Sequence, residues 1–196
     1  MLNIVGLSSK LYNTQLSIPP DIMMPTLFCW LIEITRRSQS GPHIYCMEVL
    51  IVKFYITGTR RGLGKYLSDN LVCVDRLEDC DVFINCKHDQ FTQVDMLYQA
   101  VHLGKRVVNI GSAASDWTYG TEWKAMTYAI EKKALREANK QLYWEGANTT
   151  CINFGFFDSE RSLEFDLPKM TIEYCAEVIQ WVLAQPYRVQ EITVTP

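Results

Sequence analysis

The sequence predicts an α/β domain built on a doubly wound parallel sheet. Short β-branched and aromatic runs alternate with segments of helical periodicity from Met47 onward. Two of the runs, Asp81 to Asn85 and Arg106 to Gly111, are apolar with little alternation, as expected of strands covered on both faces. The first run ends in a glycine-spaced turn, Thr57 to Gly64, that opens a helix.

The elements follow in order. Glu48 to Thr57 reads as the first strand, Leu63 to Asn70 as a short helix and Leu71 to Val74 as a second strand ending in Asp75-Arg76. Asp81 to Asn85 is a buried strand. Phe91, Val94, Leu97, Tyr98 and Val101 fall at helical spacing, and Gly104 supplies the stop. Arg106 to Gly111 is the next strand, and Thr121 to Tyr143 a long helix rich in Ala, Glu, Lys and Leu. Thr150 to Phe157 is a strand, Thr171 to Ala184 a helix with Thr171 as N-cap, and Ile192 to Val194 a last strand. In such a sheet a ligand sits beyond the C-terminal strand ends, where Gly58, Asn85, Ser112 and Gly155 would lie.

Residues 1–46 differ in character. They hold Pro19-Pro20, Pro25, Pro42 and a Ser/Gly stretch, with little periodicity. The apolar patch Ile22 to Ile34 is broken by Pro25 and Glu33 and is too short to span a bilayer. Expected domains are therefore an extension, 1–46, and a folded domain, 47–196, with Met47 as a candidate start of the functional protein. At 196 residues, 48% hydrophobic and 21% charged, the chain has the composition of a soluble single domain. A net charge of −3 gives no electrostatic reason to expect nucleic acid or a membrane surface. Seven cysteines, an odd count without Cys-x-x-Cys spacing, read as free thiols in a reducing cytoplasm rather than disulfides or metal ligands.

The glycine turn suits a phosphate. Glycine adopts positive φ and admits close backbone approach, while the helix N-terminus offers unpaired N–H groups. Arg60 and Arg61 add positive charge there.

Thr57-Gly58-Thr59-Arg60-Arg61-Gly62-Leu63-Gly64 resembles the T-G-x-x-x-G-x-G turn of the short-chain dehydrogenases/reductases. Asp81 to Asn85 is similar to the strand leading into that family's N-A-G segment, here Asn85-Cys86-Lys87. Val108 to Ser112 is similar to its serine-bearing strand. Tyr128-Ala129-Ile130-Glu131-Lys132 supplies Y-x-x-x-K, and Phe154 to Ser159 resembles its P-G-x-x-x-T segment, with Phe for Pro and Ser for Thr. The resemblance covers about residues 50–196. It implies a Rossmann-type fold, hydride transfer between NAD(P)(H) and a small carbonyl or alcohol, catalysis by Ser112, Tyr128 and Lys132, and a homodimer or homotetramer. It places Gly58 through Gly64, Asp75, Arg76, Asn85, Tyr128, Lys132, Gly155 and Ser159 against the cofactor.

The chemistry accounts for the residue types. Tyr128 and Lys132 lie four apart and share a helix face. A phenol near its ordinary pKa of about 10 is a poor base at neutral pH, and an adjacent ammonium stabilises the phenolate. Lys133 points about 100° away and is assigned to solvent. Asp75 would accept from the ribose of NAD, whereas Arg61 and Arg76 would meet the 2′-phosphate of NADP; two cations against one anion favour NADP(H). The chain also departs from the family pattern. Between Asp75 and Asp81 five residues replace a helix, a strand and a further helix. No Asn falls between Asn85 and Asn109, where the family often places a catalytic one. The loop Ala114 to Glu122 is longer than usual, and its Trp117 and Tyr119, with Trp123, would line a pocket or fill core. The segment Ser159 to Lys169 is a short lid. A cofactor-binding protein without turnover is the alternative.

Overall fold

The computed structural model describes residues 31–32, 50–116, 123–162 and 166–196. Five strands form one parallel sheet in which spatial order follows chain order: β1 (Phe54–Ile56), β2 (Val82–Asn85), β3 (Arg106–Ser112), β4 (Thr149–Phe154) and β5 (Glu191–Val194). The register aligns Ile56 with Ile84, Ile84 with Val108, Ile110 with Ile152, and Phe154 with Val194. Four helices cross between or flank these strands: α1 (Gly62–Asn70), α2 (Thr92–His102), α3 (Trp123–Trp144) and α4 (Ile172–Ala184).

Alternation along the strands sorts side chains into two layers. Ile84, Val108, Ile110, Ile152 and Phe154 point to one face, where Leu63 and Leu67 of α1 meet Cys175, Ile179 and Val182 of α4. Phe83 and Val107 point to the other, against Leu97 and Ala100 of α2 and Leu135, Ala138 and Leu142 of α3. Burial on both faces is why the strands read as continuous apolar runs. The doubly wound, single-domain α/β fold is the one the sequence predicts.

The ends of the elements obey local chemistry. The Thr171 hydroxyl accepts from Tyr174 N at 3.1 Å and caps α4 as expected. Gly104 takes φ +70° after α2, and its N–H donates to Val101 O at 2.9 Å.

Two expected strands differ. The first divides: Leu50–Ile51 pairs antiparallel with Leu31–Ile32, and only Phe54–Ile56 enters the main sheet. Leu71 to Val74 is reduced to one bridge, Cys73 beside Phe54, held by Phe54 N donating to Val72 O and Val74 N to Phe54 O. Asp75 and Arg76 then turn the chain into the 3-10 turn Leu77–Asp79, whose Leu77, with Cys80, packs beneath Phe83. That single turn fills the interval where the family pattern has a helix, a strand and a helix, which leaves β1 with almost no outer neighbour. Most of the extension 1–46, the aromatics Trp117 and Tyr119, and residues 163–165 of the Ser159 to Lys169 segment lie outside the described residues. Among the described residues no helix is long and apolar enough to cross a membrane, and no cluster of metal-ligating side chains occurs.

Candidate active site

The turn after β1 is shaped by its glycines. Gly58 sits at φ +77° and Gly62 at φ +58°, conformations that cost a side-chain-bearing residue about 1–2 kcal/mol. Gly64 is held differently: a Cβ there would stand 2.4 Å from Gly58 O. The turn and the first turn of α1 thus press backbone on backbone. Among the described residues no side chain caps α1, and no acidic residue occupies its first turn. Its leading N–H groups and the positive end of its dipole therefore remain suited to an anion.

The wall opposite comes from the segment after β2. Thr57 locks it in place, since Thr57 N donates to Ile84 O at 3.2 Å and Lys87 N donates to the Thr57 hydroxyl at 3.0 Å. A Cβ on Gly58 would lie 3.3 Å from Lys87 Cα, so a side chain there would press on the wall as well as strain the φ. Between turn and wall opens a cavity of about 700 Å3, lined by residues 58–64, Cys86, Lys87, His88, Ile110, Phe157, Ser159 and Glu160. It lies at the C-terminal ends of β1, β2 and β3. Arg61 pairs with Glu160 across it at 3.5 Å, and both groups are largely exposed. Burial pushes the Cys86 thiol up to about 12 although the Lys132 ammonium pulls the other way.

On α3 the predicted pair is brought together. The Lys132 ammonium lies 5.6 Å from the centre of the Tyr128 ring, whereas Lys133 is exposed. Lys132 is only 3% exposed. It donates to Gln93 Oε1 at 2.7 Å and to Ile110 O at 2.8 Å. Those bonds keep a buried charge tolerable. The Tyr128 ring meets the His88 ring edge to face, with centroids 4.7 Å apart. His88 Nε2 in turn pairs with the carboxylate of Glu131, itself 6% exposed.

Beneath Lys132 runs a polar layer on the α2/α3 face of the sheet. Gln93 Nε2 donates to Asn85 O at 2.6 Å, and Asn85 Nδ2 donates to Gln93 O and to Asn109 Oδ1. Asn109 Nδ2 continues to Asn139 Oδ1 and the Thr149 hydroxyl. Asn139 Nδ2 closes the chain on Gln190 O. The network ties α2, α3, β2, β3 and β4 together behind the cavity.

The predicted site residues are therefore placed as follows. Gly58, Thr59, Arg60, Arg61, Gly62, Leu63, Gly64 and Ser159 line the cavity together. Tyr128 and Lys132 adjoin its His88 and Ile110 walls from α3. Ser112 ends β3, and its hydroxyl accepts from Ala114 N at 3.2 Å. Asn85, expected against a cofactor, has its side chain taken up by the buried polar layer instead, because strand alternation turns it toward α2. Gly155 does not line the cavity; a Cβ there would stand 3.1–3.3 Å from Pro196 and Thr195. Asp75 and Arg76 are exposed and lie outside it, with Arg76 paired to Glu78 at 3.3 Å. Sequence reasoning missed Gln93, Glu131 and the role of His88. A histidine just past β2 and a carboxylate beside Lys132 were the available signals.

No protein-family model matches the chain, and no curated protein matches it in sequence. Solved structures do match in fold. A 3-oxoacyl-(acyl-carrier-protein) reductase from Agrobacterium tumefaciens with NADP bound aligns at TM-score 0.58 and 14% identity, over 74% of this chain and 93% of that one. An alcohol dehydrogenase from the archaeon Thermococcus sibiricus, complexed with 5-hydroxy-NADP, aligns at TM-score 0.57 and 14% identity, over 74% and 96%. A 4-hydroxyisoleucine dehydrogenase complexed with NADH aligns at TM-score 0.53 and 15% identity, over 74% and 96%. The chain has the Rossmann fold of the short-chain dehydrogenases/reductases.

Proposed function

We propose that the chain is a NAD(P)(H)-dependent oxidoreductase acting on a small carbonyl or alcohol. One observation carries the reading: the glycine-lined cavity at the sheet's C-terminal edge adjoins a tyrosine whose ring neighbours a buried lysine. The cavity fits a dinucleotide chemically. Its N-terminal helix turn has no side-chain cap among the described residues, Arg60 and Arg61 border it, and the contact of Gly64 on Gly58 O leaves the backbone smooth for a pyrophosphate. The bound nicotinamide would supply or accept the hydride. Tyr128 would exchange a proton with the substrate oxygen, and Lys132 would favour its phenolate. Ser112 would steady that oxygen. Arg61 supports NADP(H) over NAD(H), its pairing to Glu160 being an exposed one worth little. A homo-oligomer and a cytoplasmic location remain part of this proposal.

A nucleotide-binding protein without turnover is the second reading. It is favoured by the two hydrogen bonds that hold the Lys132 ammonium to Gln93 and Ile110 O. The test is Tyr128→Phe with wild type alongside, measuring NADPH and NADH affinity by fluorescence and their oxidation over a panel of aldehydes and ketones. Wild-type turnover abolished by Tyr128→Phe with affinity kept supports the enzyme; tight binding without turnover supports the second reading.

A further inference from the structure

Among the described side chains lining the cavity, one is an imidazole, the group that ordinarily titrates near neutrality. That is His88; its neighbours there are arginines, a lysine, a thiol and the Glu160 carboxylate. Its ring is held rather than loose. Glu131 reaches it from α3 and is itself nearly sealed from solvent. The imidazole also meets the Tyr128 ring edge to face. An imidazole backed by a buried carboxylate, in ring contact with a phenol and lining a solvent-open cavity, has the chemistry of a proton carrier. Lys132 is poorly placed for that task, since its ammonium is bound to Gln93 and a backbone carbonyl in the interior.

We infer that His88, oriented by Glu131, returns a proton to Tyr128 in each turnover. The inference rests on the oxidoreductase reading above. In the reductive direction the substrate carbon takes the hydride, and the carbonyl oxygen takes the proton of the Tyr128 hydroxyl. A phenolate remains. The N–H bond of the His88 imidazolium then breaks, its electron pair stays on nitrogen, and the proton forms the new O–H bond of Tyr128. The neutral imidazole, still held by Glu131, takes its next proton from solvent. One proton is consumed for each hydride transferred. His88 acts through Tyr128 and is a proton-supplying and positioning residue. The charged and titratable groups around it are Tyr128, Glu131 and Lys132 from α3, Cys86 and Lys87 from its own segment, and Arg60, Arg61 and Glu160 on the shared cavity.

The test compares wild type with His88→Ala and Glu131→Gln. NADPH affinity is read by fluorescence, reduction of benzaldehyde, acetophenone and diacetyl across pH, and His88 titration by NMR of the nucleotide-free protein. His88→Ala is expected to bind NADPH within about threefold of wild type, yet lose about a hundredfold in kcat. Free imidazole in the buffer should restore a substantial part of that loss. The NMR midpoint of His88 should fall in Glu131→Gln, because the carboxylate favours the imidazolium. His88→Ala as active as wild type overturns this inference alone. So does a His88→Ala protein that loses NADPH affinity together with activity and gains nothing from imidazole, which marks a wall residue. Wild type that binds NADPH and reduces nothing on the panel overturns the hydride reading, and this inference with it.

Discussion

A single carbon decides the glycine turn. At Gly64 a methyl group would sit 2.4 Å from Gly58 O and 2.8 Å from Gly58 C, and neither backbone atom can yield without moving the turn. Gly64→Ala is expected to cost about 1–3 kcal/mol by urea unfolding and to weaken nucleotide binding at least as much as Gly58→Ala does. Gly104→Ala is a control, since nothing lies within 4 Å of its Cβ position and only its φ of +70° is strained. The thiols give a second residue-scale expectation. Burial pushes Cys86, Cys151 and Cys175 up to about 12. In the unfolded chain a thiol ionises near about 8.5. Below that pH both states keep the proton and stability is unaffected. Above it the unfolded chain releases protons that the folded one retains, so stability falls as pH rises toward 12, by up to about 1.4 kcal/mol per pH unit for each thiol. The urea midpoint should drop above about pH 9, and Cys175→Ala should flatten the drop; a midpoint level to pH 11 would contradict the burial of these groups.

Among the elements, α3 carries the most chemistry per turn. Glu131 and Lys132 are adjacent in sequence and both buried, each with its own partner, while Lys133 faces water. Lys132→Met should cost about 1–3 kcal/mol, because Gln93 Oε1 and Ile110 O lose their donor inside the protein. Lys133→Met should stay within about 0.5 kcal/mol, as surface changes do. Thermal unfolding of the two variants checks the contrast directly. The same helix shows where the sequence is legible and where it is not. The separation of Tyr128 and Lys132 could be read because both lie on one helix, and helical period is local. The glycine turn, β2 to β4, α2 and the Thr171 cap were legible for the same reason. His88 and Glu131 were not, because a contact between them exists only once β2 and α3 have packed. Asn85 and Asn109 were hidden inside runs that are apolar on average; their pairing depends on which sheet face they share. Leu71 to Val74 has strand composition, yet a three-residue β1 offers it no ladder to extend.

For the molecule as a whole, two cores lie on opposite faces of one sheet, and the same strands contribute to both. Leu135→Ala on the α2/α3 side and Ile179→Ala on the α1/α4 side each remove a fully buried aliphatic side chain. Each should cost about 2–5 kcal/mol, and each should lower one shared unfolding transition rather than split it. Two separated transitions in calorimetry would mean that the faces unfold independently. On the α3 side of the sheet the Arg136 guanidinium ties separate elements together, pairing with Asp116 after β3 and with Glu191 of β5.

The sheet has no hairpins. Val82 waits for Arg106, and Val107 for Thr149, so each neighbour in the ladder arrives only after an intervening crossover has been made. During synthesis β1 therefore leaves the ribosome with no partner to zip to, and the central strand β3 stays half-covered until about forty further residues have emerged. Nascent chains stalled shortly after Ser112 should be sticky and chaperone-bound, and protease resistance should appear only once α4 and β5, through Val194, have emerged to close the second face.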